Sequence, residues 1–225
     1  MEATSRPRVK ICCIADTQEA WTAIRFGASA LGLVSQMPSG PGVISERMIA
    51  EIAAVVPPAV SSFLLTSERD AATIAAQARR TGVTTVQICD RLEKGTYGEI
   101  RDALPGISIV QVVHVTGEHA VAESVSLAHE VDAILLDSGD RSLPVKELGG
   151  TGRTHDWNIS RTIREVIGIP VFLAGGLTAD NVEAGIRQVG PFGVDVCSGV
   201  RTGGRLDKIK LAAFFRCIVK DGTTT

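Results

Sequence analysis

The 225-residue chain is short of aromatic side chains: one tyrosine, two tryptophans and six phenylalanines, 4% in all, against 44% hydrophobic residues. Its core must therefore be built mostly from Val, Ile, Leu and Ala, which suits buried strands and stacked helices. It lacks any apolar run of about 18 residues, the length a bilayer-spanning helix needs. The opening residues MEATSRPRVK have none of the apolar stretch of a secretory leader, so a cytoplasmic location is expected. Disulfide-framework spacing is missing too. The five cysteines, Cys12, Cys13, Cys89, Cys197 and Cys217, are odd in number, and reduced thiols are expected. The histidines, 114, 119, 129 and 155, form no metal-ligand pattern with them, so no metal is expected. A formal charge of −2 with no block of one sign argues against nucleic acid or an anionic membrane as partner.

What the chain does have is an alternation of two textures. Short runs rich in Val, Ile and Ala, predicted as strands near 8–13, 30–35, 60–65, 84–89, 107–113, 132–136, 170–174 and 193–197, precede segments with helical spacing. The predicted helices lie near 17–27, 45–55, 68–80, 96–103, 117–129, 158–167, 179–188 and 206–219. Asp16 and Thr17 are placed to cap the first helix, with Glu19 in its opening turn. Thr66-Ser67-Glu68 and Thr178-Ala179-Asp180 are expected to open the third and seventh, and Gly27, Gly82 and Gly168 to close theirs. Strands that are continuously apolar are buried on both faces, which means a parallel sheet covered by helices. Eight β-then-α units make a compact single-domain α/β fold, a (β/α)8 TIM barrel over 6–219, with 220–225 as a tail. An open doubly wound sheet would carry a glycine-rich loop after its first strand, where this chain reads CCIAD.

In such barrels the chemistry collects at the C-terminal ends of the strands. Cys12 and Cys13 end the first strand, Asp137 the sixth, LAGGL (173–177) the seventh and VDVCSGV (194–200) the eighth. The glycine turns 149–152, 174–176 and 198–199 free backbone N–H groups for an anion, and the loops after strands seven and eight are the usual phosphate site. A thiol at a strand end is most simply packing, and a glycine turn most simply a tight bend. Three such turns on one rim favour a phosphate. Asp137 leaves an apolar strand, where a carboxyl group is poised as a general acid, unless it caps a helix or pairs with Arg141. Asp195, inside the eighth strand, is expected to be structural.

The stretches VKIC (9–12), FGASALGLV (26–34), VQ (86–87), ILLD (134–137), GGTGRTHDW (149–157), LAGGLTADNV (173–182) and VDVCSGV (194–200) together resemble the phosphoribosylanthranilate isomerase family of tryptophan biosynthesis. The resemblance implies an Amadori rearrangement of an N-substituted phosphoribosylamine, aldose to ketose, without a cofactor. It assigns the general base to Cys12 and the general acid to Asp137. It seats the phosphate on Gly150, Gly152, Gly175, Gly176, Ser198 and Gly199. Lys10, two residues before Cys12 on the same strand face, is a candidate for stabilising a thiolate there.

The departures lie on the aglycone side. Where the family carries an arginine after strand two, by analogy a carboxylate contact, MPSGPGVIS (37–45) has Gly42. Cys13 stands in place of a family glycine, Cys89 and Asp90 in place of histidine and glycine, and QVVHV (111–115) in place of a lysine-bearing stretch. Lys10, Gln87, Cys89 and Arg153 are the expected substrate-side residues, with Arg153 a replacement for the missing arginine. Three readings follow: a divergent isomerase, a paralogue for another phosphorylated amino sugar, or a non-catalytic phosphosugar-binding barrel. The partner is a small phosphorylated sugar in each case; monomer and homodimer both stay open. His155 and Trp21 are expected to be structural, and His119 and His129 to face solvent.

Overall fold

The computed structural model describes residues 6–219; the predicted tail, 220–225, lies outside the described residues. Eight parallel strands close into a barrel in sequence order: β1 (Arg8–Ile11), β2 (Ala30–Val34), β3 (Ser61–Thr66), β4 (Thr85–Ile88), β5 (Ser108–His114), β6 (Ala133–Asp137), β7 (Val171–Leu173) and β8 (Gly193–Val196). The seam closes through β1 on β8, with Arg8 opposite Gly193 and Ile11 opposite Val196. Outside lie α1 (Thr17–Phe26), α2 (Glu46–Ala53), α3 (Ala71–Thr81), α4 (Tyr97–Ala103), α5 (His119–Leu127), α6 (Trp157–Val166), α7 (Val182–Val189) and α8 (Lys208–Val219). This is the (β/α)8 barrel that the alternation predicted.

The local chemistry explains most of the boundaries. Asp16 caps α1 by accepting from the Glu19 amide at 2.8 Å, and Gly27 ends it in the left-handed region. Gly82 ends α3 in the same way, but α6 ends at Ile167, one residue before Gly168. Two predicted helix starts move. α3 begins later than Thr66-Ser67-Glu68, because Asp70 accepts from the Thr73 amide and caps it there. α7 begins at Val182, because Asn181 turns its side-chain oxygen back to the Thr178 amide and closes a turn ahead of the helix. The first strand stops at Ile11, which leaves Cys12 and Cys13 on the rim. A 3₁₀ turn (Ser198–Val200) and a small hairpin of β9 (Arg201–Thr202) and β10 (Arg205–Leu206), neither of them predicted, follow β8. Trp21, expected to pack, is 39% exposed on α1. His119 and His129 are exposed as expected, though His129 lies beyond α5.

Strand alternation sorts the core into two layers. Ile11, Leu64, Ile134, Leu136 and Val194 point outward under the helices, in a cluster of fully buried aliphatic residues. Each such Ile or Leu contributes roughly 1.5–3 kcal/mol by its burial. Phe63, Leu65, Val110, Val112, Ala133, Leu135 and Phe172 point into the barrel. Phe63, Phe172 and Phe192 pack edge to face, with centroids 6.1 and 5.5 Å apart, and plug the interior with a third of the chain's aromatic residues. The same parity carries Lys10, Gln87, Asp137 and Asp195 inward.

Candidate active site

One cavity opens at the C-terminal rim. Its wall includes Cys12, Cys13, Gln87, Cys89, Asp137, Asp195, Cys197 and Ser198, with the backbone of 149–152 and 174–177. Cys12 and Asp137 thus face one space from different strand ends. Of the residues expected to hold phosphate, Gly150, Gly152, Gly175, Gly176 and Ser198 line it. Gly199 lies just beyond, in a hollow that shares Gly152, Gly176 and Ser198 and adds Thr178 and Lys210. Lys210, on the last helix, was not foreseen; nothing in its local sequence distinguishes it from a surface lysine.

Asp137 is buried, and among the described residues no lysine or arginine pairs with it directly. Its Oδ1 accepts from the Ser138 amide at 2.7 Å and, more distantly, from the Ser138 hydroxyl. Burial outweighs those bonds and pushes the carboxyl up to about 6. The alternative of a pair with Arg141 is excluded, because Arg141 binds Glu123 at 2.5 Å.

Lys10 is fully buried beneath Cys12. Its Nζ lies 2.9 Å from Asp195 and 5.3 Å from the Phe63 ring centroid. Burial alone would discharge it, but the charges of Asp195 and then Cys12 outweigh burial and hold it protonated. Asp195 therefore combines the structural role expected of it with a place on the cavity wall. Gly32 makes room for this arrangement: a Cβ there would lie 2.9 Å from Cys12 Sγ and 3.1 Å from Lys10 Nζ. The ammonium and the thiol converge over that glycine, as the alternation of β1 requires.

On the aglycone side, Val34, Met37, Leu65 and Leu148 form an apolar wall. Gln87 and Cys89 join it. Cys89 is pushed up to about 12, chiefly by burial, so it stays a neutral thiol. Gln87 Oε1 is buried without a protein partner and is free to accept from a ligand hydroxyl. Arg153 does not join the site. It does not line the cavity, is largely exposed and pairs with Glu147. Asp90 is also outside, buried and held by Lys146 at 2.5 Å and by Arg69. His155 is structural, bonded to Ser160 on α6 at 2.6 Å.

The two substitutions nearest Cys12 fit each other. Gly42 has φ +83°, and a Cβ there would sit 2.5 Å from Cys13 Cβ and 2.9 Å from its Sγ. Cys13 fills the space that a side chain at 42 would enter. Above them the loop after β2 leans on the loop after β6: the Ser39 hydroxyl donates to the Lys146 carbonyl at 2.6 Å, and Pro41 packs over Gly150.

With this geometry in hand, a family model described as N-(5'-phosphoribosyl)anthranilate (PRA) isomerase matches residues 9–217. The chain belongs to the PRA isomerase family. N-(5'-phosphoribosyl)anthranilate isomerase 2 of Methanosarcina mazei is 36% identical over 209 residues, 92% of each chain. The solved phosphoribosyl anthranilate isomerase of Thermotoga maritima superposes with a TM-score of 0.79 at 28% identity, over 94% of this chain and 98% of its own. A further PRA isomerase structure, in complex with reduced 1-(o-carboxyphenylamino)-1-deoxyribulose 5-phosphate, has a TM-score of 0.76 at 26% identity over the same shares. As a PRA isomerase family member, the chain is an intramolecular isomerase of the aldose–ketose class. Among the described residues, no helix is long and apolar enough to cross a membrane.

Proposed function

We propose that the chain is the phosphoribosylanthranilate isomerase of tryptophan biosynthesis and works by general acid–base catalysis. Asp137 protonates the ring oxygen of the aminoribose, and the ring opens to a Schiff base. Cys12, as thiolate beside the Lys10 ammonium, removes the proton from C2. The enolamine that results tautomerises to the aminoketose. The observation that carries this reading is that a buried carboxyl raised to about 6 and the family's thiol share one cavity with the glycine turns. Phosphate would sit on the backbone of Gly150, Gly152, Gly175, Gly176, Ser198 and Gly199, with Lys210 as a nearby charge. The aromatic ring would lie against Met37, Leu65 and Leu148. In the solved relative whose ligand joins a carboxyphenylamino group to a ribulose 5-phosphate, both ends of such a molecule are present.

A second substrate is favoured by one feature. Among the described residues no lysine or arginine lines the cavity, so no side-chain cation there meets an aglycone carboxylate. A phosphoribosylamine with an uncharged N-substituent fits that wall as well. The test is turnover of phosphoribosylanthranilate, generated in situ and followed by loss of its fluorescence, with Cys12→Ala and Asp137→Asn in parallel. Efficient turnover by the unaltered chain, lost in both variants, is the expected result. No turnover, while inorganic phosphate still raises the melting temperature, would move the assignment to the uncharged substrates.

A further inference from the structure

Cys13 and Cys197 take no part in the proposed reaction, yet their Sγ atoms lie 2.6 Å apart where β1 and β8 meet. That is about 0.5 Å from bonding distance. Cys12 Sγ is farther away, 3.8 Å from Cys13. The backbone around the pair is fixed. Cys13 has φ +62°, and Arg201, itself buried and paired with Glu19 at 3.0 Å, donates to the carbonyls of Cys12 and Cys13. The two sulfurs also divide one role unequally. Hydrogen bonds to Cys12 and Cys197, with burial, hold Cys13 well above the usual thiol range. Cys197 is drawn below it by its contact with Cys13 and, against burial, by the Arg201 charge. One member is therefore the nucleophile and its neighbour the proton-bearing partner.

We infer that Cys13 and Cys197 form a site of reversible covalent modification, oxidised by peroxide to a disulfide on the wall of the cavity. The Cys197 thiolate attacks one oxygen of hydrogen peroxide and becomes a sulfenic acid; the hydroxide released takes a proton from solvent and leaves as water. Cys13 sulfur then attacks Cys197 Sγ. The S–S bond forms, the S–O bond breaks, and the departing hydroxide leaves as water with the Cys13 proton. Two thiols lose two electrons and two protons, and one peroxide becomes two waters. The base, Cys12, is left unoxidised.

The test is covalent and independent of turnover, so it stands or falls apart from the isomerase assignment. The full-length reduced protein is treated with stoichiometric hydrogen peroxide near neutral pH, and its intact mass and tryptic peptides are measured. The expected product has lost the mass of two hydrogens and links the peptide 11–25 to the peptide 188–201 through Cys13. Cys12 still takes up iodoacetamide, and dithiothreitol restores all five thiols. In Cys13→Ser the reaction stops at a sulfenic acid on Cys197 that a cyclic 1,3-diketone traps. Five thiols still free after peroxide, a link through Cys12, or diketone on Cys12 in place of Cys197 would each overturn the inference.

Discussion

The two sides of the barrel mouth are made from different materials. The side proposed for phosphate, in the loops after β6, β7 and β8, is mostly glycine turns lining the cavity, with Ser198 the one residue with a polar side chain among the expected contacts. The aglycone side, after β2, β3 and β6, is a set of apolar side chains under two loops that rest on each other. A backbone-built surface constrains residue type strictly where it is tightest, because a Cβ added at Gly176 or Gly199 would meet main chain. A side-chain-built surface can exchange one packing solution for another, as Gly42 and Cys13 have done together. Cys12 and Asp137, the pair proposed to be catalytic, line the same cavity.

The largest break in this comparison comes at that pair. Asp137→Asn should lower turnover by about 10²–10⁴-fold, the usual share of a general acid. Wild-type kcat should fall as pH rises past about 6, where the carboxyl deprotonates. The stability effect has the opposite sign. The folded-state value lies above the ordinary aspartate value of 3.8, so the unfolded chain gives up this proton more readily. Burial of Asp137 therefore costs stability as pH climbs from about 4 to about 6, reaching on the order of 3 kcal/mol at neutral pH. Asp137→Asn should melt higher than wild type at pH 8 and show a flatter dependence between pH 4 and pH 7; calorimetry across that range checks both.

Next in size is a test of the backbone side. A Cβ at Gly199 would lie 2.0 Å from the Leu177 carbonyl oxygen, so Gly199→Ala must push the turns after β7 and β8 apart. Overpacking of this kind costs roughly 1–3 kcal/mol. Steady-state kinetics should show it mainly as a higher KM, because the anion cup is displaced while the acid and base stay in place. An unchanged KM would remove the distinction drawn here.

Gly42→Arg probes the exchange directly. Alone, it meets Cys13 and takes a left-handed backbone, at a cost of about 1–2 kcal/mol or more. Combined with Cys13→Gly it should recover part of the lost melting temperature and lower KM for phosphoribosylanthranilate by supplying a cation. A double-mutant cycle with no coupling would show that the two positions are independent. The smallest effect belongs to the apolar wall. Met37 is only partly buried, and Met37→Ala should change KM by a few-fold at most, with the melting temperature nearly unmoved.

The same contrast decides how much could be read in advance. The barrel was legible because eight aliphatic runs alternate with capped helical segments, and strand parity alone put Lys10 on the face of Cys12; the inward turn of Gln87 and Asp195 came only with the fold. The glycine turns were legible because backbone recognition writes itself into residue type. Arg153 was misplaced because its role was inferred from charge, and charge in sequence does not say that Glu147 is in reach. Cys197, Lys210 and the Ser39–Lys146 clasp went unseen for a related reason: each depends on a partner more than 60 residues away or on which wall of a hollow a helix presents. The proximity of Cys13 to Gly42 was invisible from either residue alone.

The seam between β1 and β8 has a consequence for how the molecule is made. Glu19 accepts from Arg201 and from the Leu206 amide, contacts spanning 182 and 187 residues of chain, and β1 finds its second neighbour only in Gly193–Val196. A ribosome releasing this polypeptide from its N-terminus exposes β1 well before β8. Through most of synthesis the nascent sheet has an open edge at β1, the kind that invites pairing with other chains. Lys10 and the thiols of Cys12 and Cys13 lie on that edge or next to it. The ring can close only once Gly193–Val196 has been made.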